Sequence, residues 1–286
     1  MAKITIVTDT VASIPENLLE SLKIHTVAYY IHRGQEVFRD LVNMTRDDFF
    51  PWMEKGKEFP KTASPGPGDY LNMYSKLAAE GSQEIISIHM TSKGSGAFQA
   101  ARAALSMAAE KMPNIRIEVI DTLNVSMCQG WIALEAAREA INGKSLPEIL
   151  QLIKDLILKT KMIQTADTLK YLYMGGRIGK AKHLVGTLLN IKPLISMEDG
   201  VITPLGQARS RKKAYEMIAN LVEEIAQGNR IKVAYVHAAA AAEVEQLKFE
   251  IERRVATIES LVTELSPALS VHTGPGTVGI CFYPVN

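Results

Sequence analysis

A loop rich in glycine and serine follows a short apolar run in the first half of the chain. Residues 85–90 (IISIHM) are the apolar run and predict a buried strand, and residues 91–96 (TSKGSG) form the loop. Alanines then recur at helical spacing, which predicts a helix from about Ala97. A strand that leads through a Gly-rich turn into a helix points backbone N–H groups and the positive end of the helix dipole at one place. The sequence therefore predicts a pocket for an anion at this loop.

The side chains of this loop add hydrogen-bond donors to the predicted pocket. Thr91, Ser92 and Ser95 carry hydroxyl groups, and Lys93 adds a positive charge. The alternative is that the hydroxyls bond the backbone of their own loop, which Ser and Thr often do. Lys93 is then a solvated loop charge.

Three further loops carry neutral donors or a single charge. They are Thr62-Ala63-Ser64, Gly175-Gly176-Arg177 and residues 272–277 (HTGPGT). Each has an alternative interpretation as turn chemistry. His272 then serves as a hydrogen-bonded structural histidine, and Arg177 neutralises the C-terminus of a preceding helix.

Several enzyme signatures fail on their spacing or context. Residues 274–279 (GPGTVG) spell a dinucleotide fingerprint, but they lead into a predicted strand with no helix after it. Residues 175–180 (GGRIGK) are one residue short of a P-loop, and Ala181 replaces the Ser or Thr that would bind magnesium. A nucleophile elbow has glycine two residues before and two residues after its serine, but Ser95 has Lys93 and Ala97 at those positions. No metal site is expected, because no clustered His, Asp or Cys set occurs.

The bulk composition excludes other classes of protein. The 286 residues carry a net charge of +1, so no basic field attracts nucleic acid. The two cysteines, Cys128 and Cys281, are far apart in sequence, which fits a reducing compartment. With no signal peptide and no apolar run long enough to span a bilayer, a cytoplasmic protein without integral membrane association is expected.

Strands and helices alternate through the first 165 residues, which predicts a mostly parallel sheet with flanking helices. Residues 4–8 predict a strand with Asp9 at its carboxyl end, where Asp9 either faces a ligand or caps the next turn. Residues 27–31 predict one further strand. The prolines and glycines of residues 59–68 predict an irregular loop.

The pattern changes after residue 165. A hairpin is predicted around Glu198-Asp199-Gly200, because Asp-Gly favours a tight turn between strands. Further strands and two longer helices follow. We therefore predict an N-terminal α/β domain at residues 1–165 and a C-terminal α+β domain with a more antiparallel sheet at residues 166–286.

Taken together, the loops resemble the DegV family of bacterial fatty-acid-binding proteins. The resemblance is carried, in the family's order, by Thr8-Asp9-Thr10, Thr62-Ala63-Ser64-Pro65, Ser92 with Ser95-Gly96, Asp121-Thr122, Leu169-Lys170-Tyr171-Leu172, Gly175-Gly176-Arg177-Ile178, Ile191-Lys192-Pro193-Leu194-Ile195 and His272-Thr273-Gly274-Pro275-Gly276. Each motif is short, but the ordered set covers the whole chain.

The resemblance implies that one long-chain fatty acid is held between two α/β domains. It implies that Thr62 and Ser95, with Gly96, bind the carboxylate and that Arg177 and His272 lie close to it. The further residues expected around this site are Asp9, Ser64, Ser92, Lys93, Thr273 and Gly276. No cofactor or metal is expected beside the bound lipid.

The resemblance also implies a non-catalytic role. In the family, the chain is the lipid-binding subunit of a fatty-acid kinase and presents the carboxylate to a separate ATP-using subunit, which makes an acyl phosphate. The alternative is a serine-dependent hydrolase or acyltransferase using Ser95 and His272, for which the sequence offers no elbow and no obvious orienting acid.

This chain departs from the family pattern at three motifs. Thr10 stands where Ser is usual, and Gly66 replaces the final Ser of the usual Thr-Ser-Gln-Pro-Ser. Ala97 replaces the Thr of the usual Leu-Ser-Gly-Thr-Tyr, and Lys93 lies outside the pattern. The Thr62 and Ser95 pair is retained, so the departures bear on acyl-chain preference and partner docking more than on the carboxylate.

Overall fold

The computed structural model describes residues 3–184 and 191–285. The strands are β1 (Ile4–Asp9), β2 (His25–Val27), β3 (Tyr30–Arg33), β4 (Glu36–Arg39), β5 (Lys61–Ala63), β6 (Glu84–His89), β7 (Arg116–Asp121), β8 (Lys161–Thr165), β9 (Lys192–Glu198), β10 (Val201–Ala208), β11 (Arg230–His237), β12 (Thr257–Glu264) and β13 (Val278–Val285). The helices are α1 (Glu16–Ser21), α2 (Arg46–Lys55), α3 (Pro67–Ala79), α4 (Ala97–Lys111), α5 (Met127–Ile141), α6 (Leu146–Lys159), α7 (Lys170–Met174), α8 (Arg211–Ala226), α9 (Ala241–Glu252) and α10 (Pro267–Thr273).

The first sheet is parallel and has the order β2-β1-β6-β7. Its central strands β1 and β6 are rich in buried isoleucine and valine, and Ile6 pairs with Ile86. Such runs suit strands that are covered on both faces. Helix α5 packs against β1 and β6, while α3 and α4 pack against each other and contact β2, β6 and β7. The loop at residues 90–96 leaves the carboxyl end of β6, where ligands gather in sheets of this kind.

A small antiparallel sheet, β4-β3-β5, corrects two sequence-based predictions. The single strand predicted at residues 27–31 is broken after Val27, since β2 pairs with β1 and β3 joins the small sheet. The loop predicted at residues 59–68 contains β5, in which Thr62 pairs with Ile31. Prolines lie on both sides of β5 and none lies within it, so each of its residues keeps a backbone N–H for pairing.

The second sheet is mixed and has the order β10-β9-β8-β13-β11-β12. Its pairings are antiparallel except that of β11 with β12, so the predicted change to a more antiparallel sheet is confirmed. By pairing, β8 belongs to this sheet, although the boundary drawn at residue 165 would assign it to the first domain. Asp199 and Gly200 both have positive φ at the predicted β9–β10 turn, as a tight hairpin requires.

Helix α5 joins the two sheets into one core. It contacts β1 and β6 of the first sheet and β13 of the second. The Trp131 side chain is fully buried and donates from Nε1 to the carbonyl of Cys281 at 3.0 Å. Arg138 of α5 forms an ion pair with Glu259 of β12. These contacts fix the position of the second sheet against the first.

Within residues 3–184 and 191–285, no helix is both long and apolar enough to cross a membrane.

Candidate functional site

A cavity of about 370 Å³ lies where the loops of the first sheet meet the second sheet. That volume is in the range of small-molecule binding sites. Much of its wall is apolar and includes Met90, Val125, Met162, Leu172, Met197 and Leu269. Other parts of the wall carry hydroxyl, imidazole and guanidinium groups. The cavity therefore suits an amphipathic ligand.

Thr62 and His272 form one of two hydrogen-bonded pairs at the polar part of this wall. Thr62 lies on β5, and His272 lies on α10, which follows β12. The Thr62 Oγ1 and His272 Nε2 atoms are 2.8 Å apart. Residues 210 positions apart in the chain are thus brought together, as the resemblance implies.

Ser95 and Tyr29 form the second pair, with 2.6 Å between their hydroxyl oxygens. The backbone N–H of Ala97 also donates to Ser95 Oγ at 3.3 Å. When Tyr29 donates as well, both lone pairs of Ser95 Oγ are occupied and its proton is free to donate to a ligand. Burial, and next the charge of Asp9, raise the pKa of Tyr29, which keeps this hydroxyl protonated. In that arrangement Ser95 is a donor to the ligand.

Arg177 lies at the solvent-exposed edge of the cavity, just after α7. Its Nη1 donates to the carbonyl of Gly175 at 2.7 Å, and its Nε donates to the carbonyl of Gly94 at 3.3 Å. The first contact caps the C-terminal end of α7, as expected if Arg177 neutralises the C-terminus of the preceding helix. The second reaches across to the loop that carries Ser95, so one side chain serves both roles.

His272 is held neutral. Burial, and next the charge of Arg177, lower its pKa from 6.5 to about 4. Its Nε2 bonds Thr62, while its buried Nδ1 has no partner among the described residues. A neutral imidazole acts here as a hydrogen-bonding group and not as a fixed cation.

Two glycines allow helices α7 and α10 to meet closely. A Cβ at Gly175 would lie 2.2 Å from His272 Nδ1, and a Cβ at Gly274 would lie 2.1 Å from the Tyr171 ring. Gly274 also has a φ of 73°, in the left-handed region. The glycines of the two motifs are therefore needed for the placement of His272.

The β9–β10 hairpin closes the cavity from the second sheet. Its Gly200 carbonyl accepts a hydrogen bond from Thr91 Oγ1 at 3.0 Å. A Cβ at Gly200 would lie 2.3 Å from that same oxygen. The hairpin turn thus packs directly on the loop that leads to Ser95.

The structure places most of the predicted site residues on one cavity. The predicted residues that line it are Thr62, Ser64, Lys93, Ser95, Gly96, Arg177, His272 and Thr273. Lys93 and Gly96 are exposed, whereas Ser64 and Thr273 are half-buried. Their predicted roles in ligand binding stay predictions.

Asp9, Ser92 and Gly276 make contacts away from the cavity wall. Asp9 is fully buried, and its carboxylate accepts from Tyr70 Oη at 2.6 Å and lies 3.0 Å from His89 Nδ1. The alternative role of Asp9 as a cap is wrong, because its side chain makes no capping bond. The Ser92 N–H donates to the Asp121 carboxylate, and the Gly276 carbonyl accepts from Arg211.

Three polar residues that line the cavity were missed in the sequence. Tyr29 lies within the strand predicted at residues 27–31, and the side chains of Ser126 and Gln164 attracted no functional interpretation. A tyrosine or glutamine within a buried strand is itself a signal, since a buried polar tip needs a partner.

In the described residues, no group of three or more His, Cys, Asp or Glu side chains is placed to hold a metal ion.

Comparison with known proteins identifies the family. A family profile described as an uncharacterised protein of the DegV family matches residues 3–285. The chain belongs to the DegV family. The resemblance inferred from the ordered motifs is thereby confirmed.

Three DegV proteins illustrate the similarity. Protein DegV of Bacillus subtilis is 31% identical over 283 residues, which are 98% of each chain. A fatty-acid-binding DegV family protein from Thermus thermophilus superimposes with a TM-score of 0.92 at 32% identity, over 99% of this chain and 100% of that one. A stearic-acid-binding protein from Eubacterium ventriosum gives a TM-score of 0.91 at 26% identity, over 99% and 98%. The predicted α/β fold is thus confirmed.

Gly175→Ala in this DegV chain is expected to displace the imidazole of His272, because the new Cβ would lie 2.2 Å from Nδ1. The imidazole resonances of His272 should shift, and the melting temperature should fall. Gly176→Ala is the control: its φ of 70° costs about 1 kcal/mol of backbone strain, but no atom of the described residues lies within 4 Å of the new Cβ. Unchanged His272 resonances in Gly175→Ala would contradict the close contact.

The stability of the chain is expected to depend on His272 below about pH 6.5. Since the folded-state pKa is lowered to about 4, the unfolded state binds more protons between these values, and stability falls as the pH falls. The slope is about 1.4 kcal/mol per pH unit for one group. Between pH 7 and pH 5 the free energy of unfolding, measured by urea denaturation, should therefore fall by about 2 kcal/mol less for His272→Gln than for the parent. Equal losses would show that His272 is not the group responsible.

Proposed function

We propose that this chain binds one long-chain fatty acid in the cavity between its two sheets, with the carboxylate between Thr62 and Ser95. The observation that carries the proposal is a single cavity with an apolar wall and a polar end. That end combines hydroxyl donors, a neutral imidazole and one exposed guanidinium. The fatty-acid binding of the T. thermophilus and E. ventriosum proteins supports it.

The polar end suits a carboxylate better than a phosphate. A carboxylate carries one charge, and Ser95, the N-terminus of α4 and Arg177 offer donors and one nearby cation. A phosphate would call for more cations. Each methylene buried against the apolar wall contributes about 0.8 kcal/mol, so the acyl chain supplies most of the affinity.

We further propose that the chain presents the carboxylate to a separate ATP-using fatty-acid kinase subunit in the cytoplasm, and that no cofactor takes part. The resemblance supplies the kinase partner. The exposure of Lys93, Gly96 and Arg177 supports it, because the head group would lie where a partner can reach it. The two free, buried cysteines agree with a reducing compartment.

The hydrogen bonds of the site favour a carrier over a serine hydrolase. Ser95 pairs with Tyr29 and the Ala97 N–H, whereas His272 Nε2 pairs with Thr62. A serine nucleophile would need the imidazole as its own partner. In the described residues the two side chains are bonded to different groups.

Solvent extraction of the denatured, purified protein followed by mass spectrometry tests the binding. About one fatty acid per chain, or uptake of added oleate or palmitate, is expected. Finding neither would refute the proposal.

Adding ATP, hydroxylamine and a candidate kinase subunit tests presentation of the carboxylate, because hydroxylamine traps an acyl phosphate as a hydroxamate. A serine-directed fluorophosphonate that labels Ser95 would favour the hydrolase.

Ser95→Ala is expected to weaken fatty-acid binding by about 1–3 kcal/mol, the scale of a hydrogen bond to a charged group. Displacement of a fluorescent fatty acid measures the change. Ser106→Ala is the matched control, since Ser106 is exposed on α4, the helix that follows Ser95, and bonds only the Arg102 carbonyl among the described residues. If Ser95→Ala binds as tightly as the parent, Ser95 is not a carboxylate ligand.

Lys93→Ala is expected to weaken binding less than Ser95→Ala does. Lys93 lines the cavity but is exposed, so water screens its charge. The same displacement assay, at low and at high salt, compares the two variants. A larger loss for Lys93→Ala, removed by salt, would show that Lys93 is the main charge partner of the carboxylate.

A further inference from the structure

Gln164 places an amide on the cavity wall, on the same strand as the apolar side chain of Met162. Met162 and Gln164 alternate with Ile163 along β8, and both line the cavity. Gln164 is only 5% exposed, and its side chain makes no hydrogen bond within the described residues. Its amide is thus available to a molecule in the cavity.

The space for this amide depends on a glycine in the neighbouring strand. Gly279 of β13 pairs with Gln164, and a Cβ there would lie 2.4 Å from Gln164 Cγ. Any larger residue at position 279 would push the glutamine side chain away. Gly279 therefore leaves the space that the Gln164 side chain occupies.

Ser126 supplies a second unpartnered polar group. It lines the cavity, its exposure is 0%, and its Oγ has no hydrogen-bond partner among the described residues. It precedes the 15-residue helix α5 and does not cap it with its side chain. Its φ of 58° is uncommon for a residue other than glycine. The first N–H groups of α5 lack acceptors within the helix, so this end of the helix also donates.

The direction of α5 places Ser126 toward the end of β13 that pairs with Gln164. The Cys128 thiol contacts the Cys281 thiol, and Trp131 bonds the Cys281 carbonyl and packs its ring on that of Tyr283. Helix α5 therefore runs along β13 in the direction of increasing residue number. Ser126 precedes Cys128, so it lies toward Gly279, which pairs with Gln164.

An unsubstituted acyl chain leaves these groups without partners. Burying an amide or a hydroxyl against methylenes costs free energy unless a hydrogen bond replaces the one to water. An oxygen on the acyl chain would provide that bond. A hydroxyl both donates and accepts, as do the amide of Gln164 and the hydroxyl of Ser126. A second carboxylate fits less well, because the described cations of the wall, Lys93 and Arg177, are both exposed.

We infer that the cavity selects a fatty acid with a hydroxyl group on its acyl chain, and that Gln164 and Ser126 bind this hydroxyl. The inference deepens the proposed function and rests on it. Thr62 and Ser95 remain the carboxylate ligands. The two polar sites therefore bind two different groups of one molecule.

The test is a competition on the delipidated full chain. Stearic acid competes with hydroxystearic acids that carry the hydroxyl near the carboxylate, at mid-chain and near the methyl end. At least one isomer is expected to bind about fivefold to tenfold more tightly than stearic acid, the scale of one hydrogen bond. Equal or weaker binding of every isomer, with stearic acid bound well, overturns the inference and leaves the proposed function standing. No binding of any acid overturns both.

Two variants assign the preference to these side chains. Gln164→Leu and Ser126→Ala are expected to remove it, with stearic acid bound at least as tightly as by the parent. Gln246→Leu, on the exposed face of α9, is the matched control and should keep the preference. Melting curves show whether each variant folds. If Gln164→Leu does not fold, the competition on Ser126→Ala alone tests the inference. An equal loss for stearic and hydroxystearic acids would show that these residues read the carboxylate instead, which also overturns the inference.

Discussion

The packing of α5 between the two sheets is the constraint on which the rest of the structure depends. This helix contacts β1 and β6 on one side and β13 on the other, and it buries Trp131 between them. Because protein interiors are close-packed, such a helix fixes the spacing of the sheets it touches. The cavity is bounded by Val125 and Ser126 just before α5, by β8 and by the loop after β6. Its dimensions therefore follow from this packing.

The polar end of the cavity uses mostly neutral groups. The hydroxyl groups of Tyr29 and Ser95 are hydrogen-bonded to each other. His272 is hydrogen-bonded to Thr62, and its lowered pKa keeps the imidazole neutral. Neutral donors that are already oriented attract a single negative charge without the cost of burying a permanent cation. Arg177 adds its charge from the exposed edge, where water still solvates it.

Contacts between the sheets also complete the polar end. Three hydrogen bonds join the first part of the chain to the second: Thr62 to His272, Arg177 to the Gly94 carbonyl and Thr91 to the Gly200 carbonyl. A change in the packing of the sheets would therefore alter the shape of the cavity and the geometry of its polar end together. The glycines at positions 175, 200 and 274 permit these close approaches.

The sequence alone determined the alternation of strands and helices, the Asp-Gly hairpin and the family, because these depend on residues close together in the chain. It also selected Thr62, Ser95, Arg177 and His272, since family motifs are local. Tertiary structure decided what those residues bond to: Ser95 to Tyr29, His272 to Thr62, and Asp9 to a buried network away from the cavity wall. It also decided that a three-residue strand carries Thr62 and that Gln164 faces the cavity. Those facts depend on strand register and on the packing of distant elements, which local sequence patterns do not encode.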